Sequence, residues 1–129
     1  MTQKQCTIWG AFLCGSAVIL GAFGAHLLEK WLSETAINSF EVGIRYQFFH
    51  GLALLFLSLD QNKKKFARTS ALLFLFGVIV FSGSIYGLTF ASTISNPIFL
   101  KILGPITPVG GLLLIFGWAN LLAGYIRNN

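Results

Sequence analysis

Residues 33–59 read SETAINSFEVGIRYQFFHGLALLFLSL, and the two halves of this stretch differ in character. In the first half, polar residues recur every three or four positions and form one stripe along a helix: Glu34, Asn38, Glu41 and Arg45. Beyond Arg45 the residues are apolar or glycine, apart from Tyr46, Gln47, His50 and Ser58. The stretch predicts a helix, capped by Ser33, that starts in water and carries His50 into lipid.

The composition of the whole chain indicates a membrane protein. Its 129 residues are 55% hydrophobic and 10% charged, with a mean hydropathy of +0.75, which leaves too little polar surface to cover a soluble globule. Four helices of about 20 residues, the length that crosses a bilayer, fill the chain. We expect an all-α integral membrane protein, one four-helix transmembrane bundle over residues 1–129, with an amphipathic helix start at about 34–45 and spans at about 7–28, 41–59, 69–91 and 106–126.

The first span has a second possible interpretation. The first span could also be a cleaved secretory signal, because Ala22 and Gly24 are small residues near a cleavage position, but its apolar run is longer than that of a signal. Retention as a span is therefore favoured.

At the fourth span, Pro105 and Pro108 are expected in a loop and a first helical turn, where the missing N–H groups cost nothing.

The basic residues indicate an orientation. Much of the net charge of +5 comes from one predicted loop between apolar runs, which contains Lys63, Lys64, Lys65 and Arg68. Such loops stay in the cytoplasm, so both termini are expected to be cytoplasmic. A nucleic-acid partner is not expected, because the aromatic residues lie in the apolar spans and are not interleaved with the basic ones.

Small residues are spaced for close helix contacts. In the first span they recur every four positions, and the third span contains a GxxxG pair. These stripes could pack within the monomer or across a homo-oligomer. The candidate helix-packing residues are Ala17, Gly21, Gly24, Ala25, Gly83, Gly87, Gly110 and Gly111.

Polar residues within the spans fall mainly in one half of the membrane. With both termini cytoplasmic and a rise of 1.5 Å per residue, the extracytoplasmic half receives nearly all of them, whereas the cytoplasmic half is almost wholly apolar, with Asn120 as an exception. We interpret the group as a polar cluster, either a pocket or a structural plug. Its members are His26, Tyr46, Gln47, His50, Ser82, Ser84, Tyr86 and Thr107.

The two histidines leave several roles open. They could hydrogen-bond to neighbouring helices and fix their register, or serve a proton or solute site. A metal site is not expected, because the chain lacks CxxC, HxxxH and HExxH motifs. Catalysis is not expected either, because no acidic residue stands beside His26 or His50 in a triad-like arrangement, so we expect no enzyme and no cofactor.

Five blocks of sequence carry a resemblance to a known family: residues 21–26, Tyr46-Gln47 with His50, Phe81-Ser82-Gly83-Ser84 with Tyr86, Ile106-Thr107-Pro108 with Gly110-Gly111, and Gly117-Trp118. The chain resembles the small four-span membrane-protein family catalogued as domain of unknown function 423, which is bacterial with a eukaryotic transmembrane relative. The resemblance implies four helices and a multi-pass location in the bacterial inner membrane. It implies no activity.

The sequence thus favours a non-enzymatic membrane protein whose polar cluster organises the bundle and contacts a small molecule, a lipid or a partner protein. One alternative is a small oligomeric transporter or channel that uses His26 and His50 as a proton or cation relay. Another is an accessory subunit of a larger membrane complex. The expected partners are the lipid bilayer and either a second copy or another membrane protein.

The orientation is testable by cysteine accessibility. A single cysteine placed at position 62 in a cysteine-free background should react with an impermeant reagent only after the membrane is opened, because the basic loop is expected in the cytoplasm. Labelling of that cysteine in intact cells would reverse the orientation.

Overall fold

The computed structural model describes residues 1–59, 64–94 and 97–127, and these ranges contain no strand. The helices are α1 (Gln3–Ile19), a π-helical segment (Leu20–Gly24), α2 (Ala25–Leu28), α3 (Glu34–Ser58), α4 (Lys65–Thr93) and α5 (Pro97–Arg127). The predicted all-helical class is therefore confirmed.

Within the described residues, three helical stretches are long and apolar enough to cross a membrane: Gln3–Leu28, Lys65–Thr93 and Leu100–Arg127. Helix α3 is not among them by composition, because polar residues such as Gln47 and His50 interrupt its apolar part. Large apolar side chains remain exposed on the outer faces of α1 and α5, including Phe12, Ile19 and Phe116. Faces of this kind suit contact with lipid.

The helix starts follow from local hydrogen bonding. Thr2 and Gln5 form a reciprocal capping box at α1. At α3, the Ser33 hydroxyl accepts a hydrogen bond from the Ala36 N–H at 3.3 Å, which confirms Ser33 as the predicted cap. At α4, the cap residue Lys64 provides no side-chain hydrogen bond.

The prediction for the start of the fourth apolar helix is wrong. Helix α5 begins at Pro97, so Pro105 and Pro108 lie inside it rather than in a loop and first turn. Pro97 occupies the first helical position, where its missing N–H needs no partner, and the apolar residues that follow extend the helix to the internal prolines. Within that stretch the Thr107 hydroxyl donates to the Leu103 carbonyl at 3.4 Å.

The predicted basic loop is also shorter than expected. Lys65 and Arg68 belong to the first turns of α4. Lys64 lies just before the helix, and Lys63 lies outside the described residues.

The long helices alternate in direction and pack in chain order, α1 against α3, α3 against α4, and α4 against α5. A continuous apolar core joins them, and its best-buried members come from the central helices: Leu54, Ala71, Phe74 and Val78. Helix α1 contributes Leu13 to this core, and α5 contributes Leu114. Because α1 packs chiefly on α3, it lies at one edge of the row.

Glycines bring neighbouring backbones together at several levels. A Cβ at Gly51 would lie 2.7 Å from Cys14 Sγ, and a Cβ at Gly10 would lie 2.8 Å from the Gly51 carbonyl, so α1 and α3 nearly touch there. A Cβ at Gly117 would lie 2.6 Å from the Phe74 ring, which shows a similar approach of α5 to α4. None of these glycines is among the predicted packing residues.

The predicted packing residues occupy varied positions. Ala17 is buried, Gly21 faces Ile44, Gly24 faces Phe40, Gly87 faces Leu103, and Gly110 and Gly111 face Phe81. Gly83 is exposed, and a Cβ there would meet nothing within 4 Å. The side chain of Ala25 lies outside the part of the chain that the structure describes.

Gly110 and Gly83 provide a matched pair of substitutions. Gly110→Ala should destabilise the protein by about 1–3 kcal/mol, because its Cβ would overlap the Phe81 backbone, which cannot move aside. Gly83→Ala should be neutral or stabilise by about 0.5–1 kcal/mol, since alanine favours the helix and the site is open. Thermal unfolding in detergent measures both. Equal melting temperatures for the two variants would contradict the packing of α4 on α5.

Candidate functional site

Gln47 is the point where three helices are joined by hydrogen bonds. It lies on α3 and is only 5% exposed. Its amide nitrogen donates to the Leu13 carbonyl at 3.0 Å and to the Ser16 hydroxyl at 2.8 Å, both on α1. Its amide oxygen accepts a hydrogen bond from the Tyr86 hydroxyl of α4 at 2.8 Å. Both N–H groups and the oxygen of this amide therefore have partners within the protein.

His50 lies one turn further along α3 and links it to α5. Its Nδ1 is 2.8 Å from the Tyr46 carbonyl, and Trp118 Nε1 donates to its Nε2 at 3.1 Å. An indole nitrogen can only donate, so Nε2 must be the acceptor and Nδ1 carries the proton that goes to the Tyr46 carbonyl. The arrangement assigns a neutral imidazole with both nitrogens occupied.

Aromatic rings surround the imidazole. The ring centroids of Tyr46, Phe74 and Trp118 lie 5.9, 5.4 and 6.0 Å from that of His50. Tyr46 itself is partly exposed and also packs on Phe81. His50 thus sits in an apolar setting in which a lost hydrogen bond could not be replaced by water.

Hydroxyl groups on α4 make two further contacts between helices. Ser82 Oγ donates to the Gly43 carbonyl of α3 at 2.8 Å. Ser84 Oγ donates to the Phe81 carbonyl at 2.8 Å and lies 2.7 Å from Thr107 Oγ1 of α5. Each hydroxyl has one hydrogen to donate, and either side chain can be the donor between the two.

The predicted polar cluster therefore separates into groups. Gln47 and Tyr86 form one, Tyr46 and His50 another, while Ser82 bonds to backbone and Ser84 pairs with Thr107. His26 stands apart from all of them: its side chain is 83% exposed and its Nδ1 lies 3.9 Å from the Glu29 carboxylate on the same helical stretch. The remaining members make their contacts in these separate groups, and His26 joins none of them.

Several polar residues were missed or left unassigned by the sequence analysis. Trp118 and Ser16 are direct partners of His50 and Gln47. Near the start of α4, Asn120 Nδ2 donates to Ser70 Oγ and to the Phe66 carbonyl, both at 2.8 Å, and Ser70 donates to the Gly117 carbonyl at 2.9 Å. A chemical argument could have identified Trp118 and Asn120, because an indole or amide N–H in an apolar span requires an acceptor.

An open crevice of about 630 Å³ lies between α3, α4 and α5, near the start of α3. The apolar part of its lining includes Val42, Ile85 and Leu88. The polar part of its lining consists of hydroxyl groups, and no charged side chain lines it among the described residues. These hydroxyl residues are Ser33, Thr35, Ser39, Thr89, Ser92 and Thr107.

Metal binding finds no support in the side chains that the structure places. Among residues 1–59, 64–94 and 97–127, no three His, Cys, Asp or Glu side chains come together.

Fold and site define a class: an integral membrane protein of antiparallel helices, held together by buried polar contacts. Within this class, the chain belongs to the family described as Protein of unknown function (DUF423), whose family model matches residues 20–111. The resemblance seen in the sequence is confirmed.

Curated relatives match over nearly their whole length. The UPF0382 membrane protein of Haemophilus influenzae is 37% identical over 131 residues, which cover 99% of this chain and 98% of the relative. A UPF0382 membrane protein of Staphylococcus epidermidis is 38% identical over 97% of this chain and 98% of its own. The UPF0382 inner membrane protein YgdD of Escherichia coli is 36% identical over 98% of this chain and 93% of its own. No solved structure gives a significant match.

These names support the location that the resemblance implied. The chain is an inner-membrane protein of a bacterial family of unknown function, and three helical stretches among its described residues can span a membrane. The comparisons assign it no activity.

His50→Leu and Glu41→Gln should differ sharply in stability. The first leaves the Trp118 N–H without its acceptor in an apolar setting, a loss of about 1–3 kcal/mol. The second alters an exposed side chain and should change little. Melting temperatures in detergent measure both, and tryptophan fluorescence should report the change around Trp118. Equal losses for the two variants would contradict the assignment of the buried face of α3.

Proposed function

We propose that this protein is a non-enzymatic, four-span scaffold of the inner membrane, and that its hydroxyl-lined crevice receives a neutral small molecule or lipid that carries hydroxyl groups. The observation that carries the proposal is the full use of Gln47 and His50 in contacts between helices. Side chains whose N–H groups and acceptor atoms all have partners within the protein hold helices in place, which supports a structural role for Gln47 and His50.

The same contacts support α3 as a fourth span. Its 25 residues give a length of about 37 Å, more than the bilayer core of about 30 Å. The polar residues that lower its hydropathy are satisfied inside the protein, which removes most of the cost of placing them in lipid. With α3 counted, four spans and the basic start of α4 favour cytoplasmic termini.

The relay alternative has less support. A proton path requires groups that can both accept and release a proton along a connected chain. Both nitrogens of His50 are engaged, one by a donor-only indole, and His26 lies outside the bonded groups with Glu29 as its neighbour. A role as an accessory subunit is compatible with the scaffold, since the exposed apolar faces suit another membrane protein as well as lipid.

The chemistry of the crevice indicates its ligand. Some of its hydroxyl groups donate to carbonyls of their own helix, as Ser39 does to the Thr35 carbonyl at 3.0 Å and Ser92 to the Thr89 carbonyl at 2.6 Å. Each hydroxyl oxygen still has a free lone pair, so the lining combines hydrogen-bond acceptors with apolar side chains. A neutral amphiphile with its own hydroxyl donors matches that combination.

Ala36→Trp tests the crevice, because Ala36 lines it and an indole there would fill much of the space. With dioleoylglycerol as the probe, native mass spectrometry should show one bound molecule on the wild-type chain and a loss of about 10-fold or more in the variant, the cost of about 1.4 kcal/mol of lost contacts. Asn38→Trp, on the exposed face of α3, is the matched control and should bind normally. Equal binding by both variants would refute this site.

A further inference from the structure

A second crevice, of about 440 Å³, lies at the opposite end of the molecule, between the first turns of α4 and the last turns of α5. Its lining includes Lys64, Lys65 and Arg127, together with the polar side chains of Thr69 and Asn120. This basic crevice belongs to neither the polar cluster nor the hydroxyl-lined crevice. Nothing in the proposed scaffold role accounts for it.

The charge of the basic crevice is of one sign. Three cationic side chains line it, and no carboxylate does so among the residues that the structure describes. Like charges held close together repel, and this repulsion is relieved by a bound anion. The start of α4 adds to the effect, because its cap residue Lys64 offers no side-chain acceptor to the first-turn N–H groups.

Aromatic contacts hold one of the cations at the crevice. The Lys64 ammonium lies 5.0 Å from the centre of the Tyr125 ring and 5.7 Å from that of Phe66. The two rings also pack on each other across α4 and α5, with centroids 5.0 Å apart. In a cation–π contact the ammonium N–H groups that point away from the rings can still bind an anion.

The apolar surface beside the basic crevice favours a lipid over a free anion as its ligand. On the last two turns of α5, Leu122 and Ile126 are 65% and 69% exposed, and they continue the apolar outer face of that helix. An anionic phospholipid could place its phosphate among the cations and its acyl chains along this face. Basic pockets between helices at the membrane surface recognise lipid headgroups by these contacts.

We propose that the basic crevice binds the phosphate group of an anionic phospholipid, with Lys64, Lys65 and Arg127 as its ligands. The site does not depend on the hydroxyl-lined crevice, which faces the other end of the bundle and would bind a neutral molecule. Ala36→Trp should therefore leave anionic lipid binding unchanged, so the failure of one proposal is distinguishable from the failure of the other.

The test is a lipid titration of the full-length protein in neutral detergent, followed by native mass spectrometry and thermal unfolding. The probes are dioleoylphosphatidylglycerol, dioleoylphosphatidylcholine and inorganic phosphate. The variant Lys65→Gln with Arg127→Gln should bind phosphatidylglycerol about 25-fold more weakly, at about 5-fold for each charge removed. Lys4→Gln with Arg68→Gln removes the same charge from exposed residues that do not line the crevice, and should bind normally.

Four results would overturn the proposal. Equal loss in the two double variants would mean attraction by net charge alone. Protection by inorganic phosphate at the same concentration as phosphatidylglycerol would mean a free-anion site, and equal binding of phosphatidylcholine would mean no preference for the anion. If Lys65→Gln with Arg127→Gln fails to fold, a wild-type titration in about 0.5 M salt decides, because screening must weaken an electrostatic site. The fourth result that would overturn the proposal is an unchanged affinity for phosphatidylglycerol at that salt concentration.

Discussion

Every buried polar group in this membrane protein must find its partner inside the protein, because lipid supplies none. Gln47 shows how far this requirement shapes the structure. It uses its whole amide on α1 and α4, so three helices meet at one side chain. The requirement also explains the place of α3 in the row. Helix α3 carries the buried side chains of Gln47 and His50, and it lies between α1 and α4, which both bond to Gln47.

The hydrogen bonds and the close backbone contacts occur at the same positions. Ser82 donates to the carbonyl of Gly43, and Ser70 donates to the carbonyl of Gly117. At both glycines a Cβ would collide with the neighbouring helix, 2.8 Å from the Tyr86 ring at Gly43 and 2.6 Å from the Phe74 ring at Gly117. Glycine lets a short serine side chain reach the next backbone, so packing and bonding are one feature rather than two.

The sequence predicted the all-helical class and the positions of most helices, because these depend on local properties. Periodicity located α3, and Ser33 marked its start. The start of α5 was misplaced because proline is tolerated both at a first turn and inside a packed membrane helix, and pattern alone does not separate the two. His26 was assigned to the cluster by depth, yet the side on which it emerges depends on helix rotation, which depth does not give. The contact of Trp118 with His50 was not predicted, although Trp118 belongs to a block that carries the family resemblance, because it joins helices distant in sequence.

The constraint that organises the bundle also separates structural polar residues from those available to ligands. Every N–H of the Gln47 and His50 side chains is donated within the protein and each of their acceptor atoms has a partner, so these side chains hold α1, α4 and α5 to α3. The polar groups that are available to ligands lie at the two ends of the molecule. They are the hydroxyl lone pairs of one crevice and the charges of Lys65 and Arg127 in the other. Because the hydroxyl-lined crevice opens beside α3 and α4, which Gln47 joins, a change at Gln47 should act on that crevice through helix position. Substitutions at the crevice linings should alter binding with the interior bonds intact.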